Sequence, residues 1–323
     1  MDLLELLNDK QFHSGEELGE RMGISRAAVS KQLAHWREQG LELDVVNGKG
    51  YRLRQPLEWL QAGAITGQLG PEARALLAEL IILPKVNSTN DVLLQRLRER
   101  PQAGLVCLAE QQTAGRGRRG RSWASPLACN FYGSFSWSFA GGFAAVEGLS
   151  LALGVAVAEA LERCGATGIG LKWPNDLMAG ERKLGGLLLE MQGEAGGPAQ
   201  LVIGIGINFH ISAEVAAGID KPVTDLKTLL GRPVARNVVT AAIIDAVLLL
   251  LRDYAQMGFA GWRERWLARD VSRGQRVHML GLAEPLQGIA RGVDAQGALL
   301  LETGQGMQAV HSGEVSLRSG PAA

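Results

Sequence analysis

The sequence predicts an α/β protein in three parts, and three observations carry that reading. A short, charged amino-terminal block has helical periodicity and ends in a glycine-flanked hairpin. A long central block alternates apolar strand-like runs with long helical patterns. The carboxyl-terminal block is rich in glycine and short strands, as a small β-barrel would be. The domains read as 1–60, 61–270 and 271–323, with soft joins at Pro56 and at Val271-Ser272-Arg273-Gly274.

Bulk properties bound the answer. The 323 residues exceed one ordinary core, and 46% hydrophobic content supports full-sized cores. Lys+Arg and Asp+Glu are 33 each, so net charge is zero. A non-specific polyanion binder would be basic throughout, so any nucleic-acid contact must be local. Cys107, Cys129 and Cys164 are odd in number and lack CxxC spacing. That argues against a disulfide framework and a zinc site, and no metal site of the protein's own is expected. The amino terminus lacks the basic start of a signal peptide. No uncharged apolar run reaches the ~18 residues of a membrane span; Glu147, Glu159 and Asp245 interrupt the best candidates. The expectation is a reduced, soluble, cytoplasmic protein with no membrane partner.

In the first block, Leu3, Leu4, Leu6 and Leu7 give a short apolar helix. Ser14 with Glu17 forms a capping box for a second helix, whose inner side carries Leu18 and Met22. Gly23 permits a turn, and Ser25 caps a third helix in which Val29, Leu33 and Trp36 recur at helical spacing. Two helices across a glycine turn fit a helix-turn-helix. Arg26, Ala27, Ser30 and Lys31 face away from the apolar stripe, where short side chains and cations suit a DNA major groove. Leu41 to Arg54 reads as a hairpin turned by Asn47-Gly48-Lys49-Gly50, the wing of a winged helix, with Lys49, Arg52 and Arg54 set for phosphate. A small helical interaction domain also fits this block. Residues 1–54 hold eight Lys/Arg and nine Asp/Glu, a net of −1, so one copy should bind DNA poorly and dimerisation should be required.

The central block carries the chemistry. Gly115-Arg116-Gly117-Arg118-Arg119-Gly120-Arg121 packs four arginines among three glycines. The glycines let backbone amides approach an anion, and the arginines grip phosphate or carboxylate. There is no GxxxxGK[ST], so this is no P-loop. The mutual repulsion of the arginines predicts a loop that is mobile alone and ordered by an anionic ligand. A solvated basic loop and an RNA-binding segment fit the same residues. Asn87-Ser88-Thr89-Asn90-Asp91 opens a helical pattern; it suits an N-cap cluster and equally offers the mixed donors and acceptors that a small polar ring such as a cyclic urea needs. Lys172-Trp173-Pro174-Asn175-Asp176 reads as a strand end that presents Asn175 and Asp176, or as an ordinary turn. Arg182-Lys183-Leu184-Gly185-Gly186 places a lysine beside two glycines. Ile203-Gly204-Ile205-Gly206-Ile207-Asn208 is a strand bare of side chains on one face, open to a flat ligand.

Together these segments resemble the bifunctional biotin–protein ligases that double as repressors of biotin synthesis. The likeness rests on Ser88-Thr89-Asn90, Gly115 to Trp123, Lys172 to Asp176, Arg182 to Gly186 and Gly204 to Asn208, in that order. It extends to Phe12-His13-Ser14-Gly15-Glu16, Ser25 to Val29, and Gly288-Ile289-Ala290-Arg291-Gly292, and so spans nearly the whole chain. The resemblance implies an α+β catalytic domain with a mixed sheet and flanking helices, and an SH3-like barrel at the carboxyl end. It implies joining of biotin to ATP, with Mg²⁺, as biotinyl-5'-AMP, then transfer to a lysine of a biotin carboxyl carrier protein. Ser88, Thr89, Asn90 and Gln112 match positions that hold the biotin head. Arg116, Gly117 and Arg118 match the closing loop, and Lys183 the lysine at the activated carboxyl. Gly115, Arg121, Trp123, Asn175 and Asn208 match the ATP and adenylate side. Asp176 is the candidate to orient or deprotonate the acceptor lysine. The family's repressor closes an aromatic residue over adenine, whereas Ile211 to Arg236 holds none; Ile219 is the apolar substitute expected there. A homodimer formed with biotinyl-5'-AMP would bind operator DNA. A lipoate-type ligase and a ligand-sensing regulator without transfer activity are the rival functions.

In the last block, Arg276 to Met279, Gly288 to Val293 and Ala298 to Glu302 read as strands, with Asp294-Ala295-Gln296-Gly297 turning between two of them. The block has no catalytic constellation, and His278 and His311 read as solvent-facing strand residues.

Overall fold

A computed structural model of the chain describes residues 3–192, 198–280, 286–311 and 316–319. The amino-terminal block folds as helices α1 (Leu3–Leu7), α2 (Gly15–Met22) and α3 (Arg26–Glu38), followed by the antiparallel hairpin of β1 (Leu43–Val46) and β2 (Gly50–Leu53). Ser14 accepts a hydrogen bond from the Glu17 amide (3.0 Å) and Ser25 from the Ala28 amide (3.2 Å), so both expected caps form. Gly23 takes φ 67°, the left-handed conformation that the turn between α2 and α3 demands. Leu3, Leu4, Leu7, Leu18, Val29, Leu33 and Leu53 close a small core of their own. Arg26, Ala27, Ser30, Lys31 and Lys49 are all exposed. Arg52 is tied differently: it bonds Asp44 (2.6 and 3.2 Å) and lies 4.4 Å over the Phe12 ring, and Arg54 reaches the same carboxylate at 3.0 Å.

The central block begins with α4 (Ala62–Gln68) and α5 (Pro71–Leu76). Then come β3 (Glu79–Leu83), α6 (Thr89–Glu99), β4 (Leu105–Ala109), β5 (Phe131–Phe139), α7 (Leu149–Arg163), β6 (Ile169–Lys172), β7 (Asp176–Ala179), β8 (Arg182–Gln192) and β9 (Ala199–Ile207). The short α8 (Ala213–Ala217) and α9 (Leu226–Leu230), the long α10 (Arg236–Met257) and α11 (Arg263–Leu267) complete it. The seven strands form one mixed sheet in the order β3-β4-β5-β9-β8-β7-β6, parallel only between β3 and β4. Period-two alternation sorts its faces. On β9, Leu201, Ile203, Ile205 and Ile207 point into the main core with α7 and α10, while Val202 joins Leu93 and Leu97 of α6 on the other side. The same parity puts Gly204 and Gly206 on the α6 side, and registers them with Ser134 and Tyr132 of β5 and with Leu188 and Gly186 of β8.

Helix α7 explains one apparent conflict with the sequence reading. Segment Ala144–Arg163 is long and apolar enough, by length and composition, to cross a membrane. Its apolar side chains face the sheet and α10, and eleven of the fifteen residues of α7 are buried. Burial in a core demands the same composition as burial in lipid.

The carboxyl-terminal block forms β10 (Arg276–Leu280), β11 (Leu286–Val293), β12 (Leu299–Thr303), β13 (Gly306–Val310) and β14 (Ser316–Ser319), an antiparallel sheet ordered β13-β12-β11-β10-β14. Whether it closes as the expected barrel depends partly on 281–285 and 312–315, which lie outside the described residues. The Asp294–Gly297 turn rests on Gly148 and Leu151, and the Trp173 indole donates to the Gly297 carbonyl (3.0 Å). His311 is exposed as expected, though one residue past the end of β13, and His278 is half-buried with Nε2 shut away from solvent.

The amino-terminal block is fastened to the central one by polar contacts. Gln111 donates to Gln39 (2.6 Å), and His210 sits between Glu42 (2.9 Å) and Asp225 (3.5 Å). Asp225 raises the His210 pKa above its ordinary value; burial opposes this, and Glu42 adds to the rise. A raised histidine pKa contributes stability in full below the unfolded value of ~6.5 and loses it as pH climbs through the folded value. The stability gap between wild type and His210→Ala should therefore be widest near pH ~5.5 and narrow toward pH ~8.5. Urea unfolding across that range reads it; a gap independent of pH would refute the latch.

Candidate active site

The glycine-bare face of β9 is the floor of a cavity of about 490 Å³. Ser88, Thr89, Asn90, Gln112, Arg116, Gly117, Arg118, Arg121, Trp123, Asn175, Asp176, Lys183 and Asn208 all line it, from well-separated stretches of chain. Gly115 does not. It serves the loop's base instead: its carbonyl accepts from the Trp123 amide (2.8 Å), and a Cβ there would meet the Trp123 carbonyl at 2.7 Å.

One end of the cavity is neutral and polar. Ser88 occupies the N-cap position of α6 but makes no side-chain cap bond. Gln112 Oε1 instead accepts from the Thr89 amide (2.9 Å) and lies 3.2 Å from Thr89 Oγ1, and Gln112 Nε2 donates to Ser125 (3.2 Å). Ser134, fully buried, stands 2.7 Å from Thr89 Oγ1 and 2.5 Å from Asn90 Oδ1. Asn90 Nδ2 donates to Glu190 (2.5 Å). A chain of fixed donors and acceptors thus runs from Gln112 to Glu190 over Gly204. A Cβ at Gly204 would sit 2.5 Å from Asn90 Oδ1, so only glycine leaves this network its place.

The cations enter from the arginine loop, where Arg116 borders the neutral network through Glu190. Arg116 is held by Asp91 (2.8 and 2.6 Å) and approaches Glu190 at 3.4 Å, and its pKa is raised, chiefly by the bonds to Asp91. Among the described residues Arg118 makes no ion pair; it reaches Asn175 Oδ1 at 3.5 Å, and burial lowers its pKa while the more distant Asp176 opposes that. Two neighbours in one motif therefore do different work. Arg116 anchors the loop to α6, and Arg118 is a desolvated cation facing the cavity, the arrangement that favours an anion most. The loop continues in a single tight turn, Arg118–Gly120, with Arg119 at φ 62°.

Lys183 Nζ bonds Asp176 (2.5 Å) and lies 5.4 Å from the Trp123 ring centroid. The hairpin of β6 and β7 places Asp176 there, with a cis Trp173–Pro174 bond in its turn. Asn175 Nδ2 donates to the Leu187 carbonyl (2.6 Å), and Asn208 Nδ2 to the Thr224 carbonyl (3.1 Å), so both amides also brace the cavity walls. Trp123 lies flat against Gly206, where a Cβ would approach the indole to 2.5 Å.

Ile219 lines the cavity as expected, but Val223 does so too, and the sequence reading missed it. It also missed Ser134, Glu190 and Asp91. Ser134 and Glu190 sit on apolar strands with no motif around them; only sheet register brings them to Asn90. Asp91 was readable as the residue after Ser-Thr-Asn, where an acid at a helix start needs no other explanation.

Comparison with known proteins agrees with this geometry. Residues 82–208 match the biotin/lipoate A/B protein ligase family, 273–318 the biotin protein ligase C-terminal domain, and 1–52 an HTH domain. The chain is 40% identical over 319 residues to the Escherichia coli bifunctional ligase/repressor BirA, covering 99% of this chain and 97% of that protein. It is 29% identical over 322 residues to the Bacillus subtilis protein of the same name. The structure of the Aquifex aeolicus biotin protein ligase in complex with biotin and ATP superimposes with a TM-score of 0.65 at 30% identity, over 76% of this chain and all of that one. A chain with this cavity, these three matched segments and near-complete coverage of such relatives belongs to the biotin protein ligase family, in its bifunctional ligase/repressor form.

Proposed function

We propose that the protein condenses biotin with ATP to biotinyl-5'-AMP, transfers biotin to a lysine of a biotin carboxyl carrier protein, and, as the adenylate-bound dimer, represses transcription at an operator. The observation that carries the enzymatic reading is the polarity of one cavity: an uncharged hydrogen-bonding end over bare glycines, and a cationic end at Arg118 and Lys183. A cyclic urea with a carboxylate tail has that same polarity.

In this reading Ser88, Thr89, Asn90 and Gln112 hold the ureido ring. The biotin carboxylate attacks the α-phosphorus, and the bond to the departing pyrophosphate breaks. Both reactants are anions, so fixed cations lower the barrier most. Arg118, Arg121 and Lys183 supply them, Arg116 holds the loop down, and Mg²⁺ enters as part of the Mg·ATP substrate. Trp123, Asn175 and Asn208 border the nucleotide, with Ile219 and Val223 as apolar contacts for adenine. In transfer, the acceptor amine attacks the acyl carbon, AMP leaves, and Asp176 orients the amine or takes its proton. Asp176 shares its carboxylate with Lys183, so the amine gains access to it as that lysine turns toward the adenylate.

Repression uses the exposed face of α3 and the wing. Arg26, Ala27, Ser30 and Lys31 are placed for base edges and Lys49 for phosphate. Arg52 contributes only through a guanidinium shared with Asp44. The domains 1–60, 61–270 and 271–323 then serve DNA binding, ligation and support of the active site, in the cytoplasm.

Incubation of the full chain with biotin, Mg·ATP and a carrier domain tests the enzyme; the carrier should gain the mass of one biotinyl group. An equal gain from lipoate would favour the lipoate-type reading, and adenylate without carrier modification would favour a sensor. Gly204→Ala should weaken biotin binding roughly 10- to 100-fold, because displacing packed atoms costs about 1–3 kcal/mol. Calorimetric titration reads this, and wild-type affinity would remove Asn90 from the ring's site.

A further inference from the structure

We infer that Lys221 is a further substrate-contacting cation of adenylate formation, binding the β- and γ-phosphate oxygens that leave as pyrophosphate. This rests on the ligase reading above. Its position is set by backbone pairing. The Lys183 amide donates to the Pro222 carbonyl (2.9 Å) and the Thr224 amide to the Lys183 carbonyl (3.0 Å), a parallel bridge that lays Val223 beside Lys183. The residue before this bridge is thereby delivered to the cavity, and Lys221 lines it together with Arg121, Asp176 and Lys183.

The charges around Lys221 are mostly of its own sign. Partial desolvation lowers its pKa most, Arg121, Lys183 and Lys172 add to the lowering, and Asp176 opposes it. Asp176 is already bonded to Lys183. Asp220 also lines the cavity but is exposed. Like charges gathered around one cavity attract an arriving polyanion. Arg116 cannot supply that service, because Asp91 holds it.

Location distinguishes the phosphates. Arg118 and Lys183 are half-buried in the cavity, and the ligase reading puts the meeting of carboxylate and α-phosphorus beside them. Lys221 is exposed at the rim, where a triphosphate must lead outward for its leaving group to depart. As the bond between the α-phosphorus and the bridging oxygen breaks, its electron pair goes to pyrophosphate, and a cation there stabilises the growing charge without any proton transfer.

The test uses the full chain and Lys221→Met. Biotin-dependent exchange of labelled pyrophosphate into ATP should fall about 10- to 100-fold, less than the 10²–10³ typical of a buried donor. Lys221→Arg should restore most of it. Transfer to the carrier from chemically prepared biotinyl-5'-AMP should keep its wild-type rate, because pyrophosphate takes no part in that step. Unchanged exchange overturns the inference, and so does an equal loss in both steps, which marks Lys221 as structural support for the segment at 219–223. A wild-type protein that exchanges no pyrophosphate overturns the ligase reading itself, and this inference with it.

Discussion

Lys183→Ala should slow adenylate formation roughly 10²–10³-fold, the usual effect of removing one preorganised charge from a water-poor site. Lys183 lines the same cavity as Arg118, and its ammonium is aimed by the Asp176 carboxylate and flanked by the Trp123 ring. Its strand is braced on both edges, by β7 on one and by β9 and the Val223 bridge on the other, so the charge costs no rearrangement when the anions meet. Alanine removes that charge and also leaves Asp176 as an unpaired acid facing an anionic transition state. Lys183→Arg keeps a cation in a larger, differently shaped head, and should recover only part of the rate. Stopped-flow measurement of pyrophosphate release after mixing with biotin and Mg·ATP reads the step directly. A near-wild-type burst in Lys183→Ala would take this residue out of the chemistry.

The largest expected effect on stability is at Arg236. Its guanidinium is buried, donates to the Asn130 carbonyl (3.0 and 3.2 Å) and the Glu58 carbonyl (3.0 Å), and pairs with the equally buried Glu110. Glu110 in turn accepts from the Leu60 amide (2.7 Å). The neighbouring Asn237 binds Glu58, Trp59 and Gln61. The start of α10 therefore gathers the connection at 58–61, the end of β4 and the entry to β5 at one point. Arg236→Ala should destabilise the chain by about 3–5 kcal/mol, because Glu110 keeps its burial and loses its counter-charge. Adding Glu110→Gln should recover part of that loss, since the stranded charge is then gone. Urea denaturation of wild type and the two variants reads both values; a loss under about 1 kcal/mol for Arg236→Ala would class the pair with surface ion pairs.

The candidate site was legible wherever it depends on local chemistry. Helix caps, glycine turns and the hairpin at Asn47–Gly50 follow from short-range backbone preferences, and the structure keeps them. The arginine loop, Ser88-Thr89-Asn90, Lys183 and the glycines of β9 announced themselves because glycine and charge are unusual inside apolar strands and helix starts. What stayed hidden depends on partners far along the chain. Nothing near Glu190 or Ser134 says that each lies against Asn90. That follows from β5, β8 and β9 running antiparallel in one register. Nor does the run of four arginines say which one is held down, since Asp91 is 25 residues from Arg116.

By itself, then, the sequence determined three parts, their element types and the chemical character of one cavity, since those rest on the periodicity and polarity of neighbouring residues. Only the tertiary structure decided that Arg116 anchors while Arg118 faces the cavity, that Val223 and Lys221 join Ile219 at its mouth, and that Arg52 is already engaged by Asp44. The reason is physical. A side chain's charge is fixed by its type, but what that charge does depends on which opposite charge, and how little water, the fold places beside it.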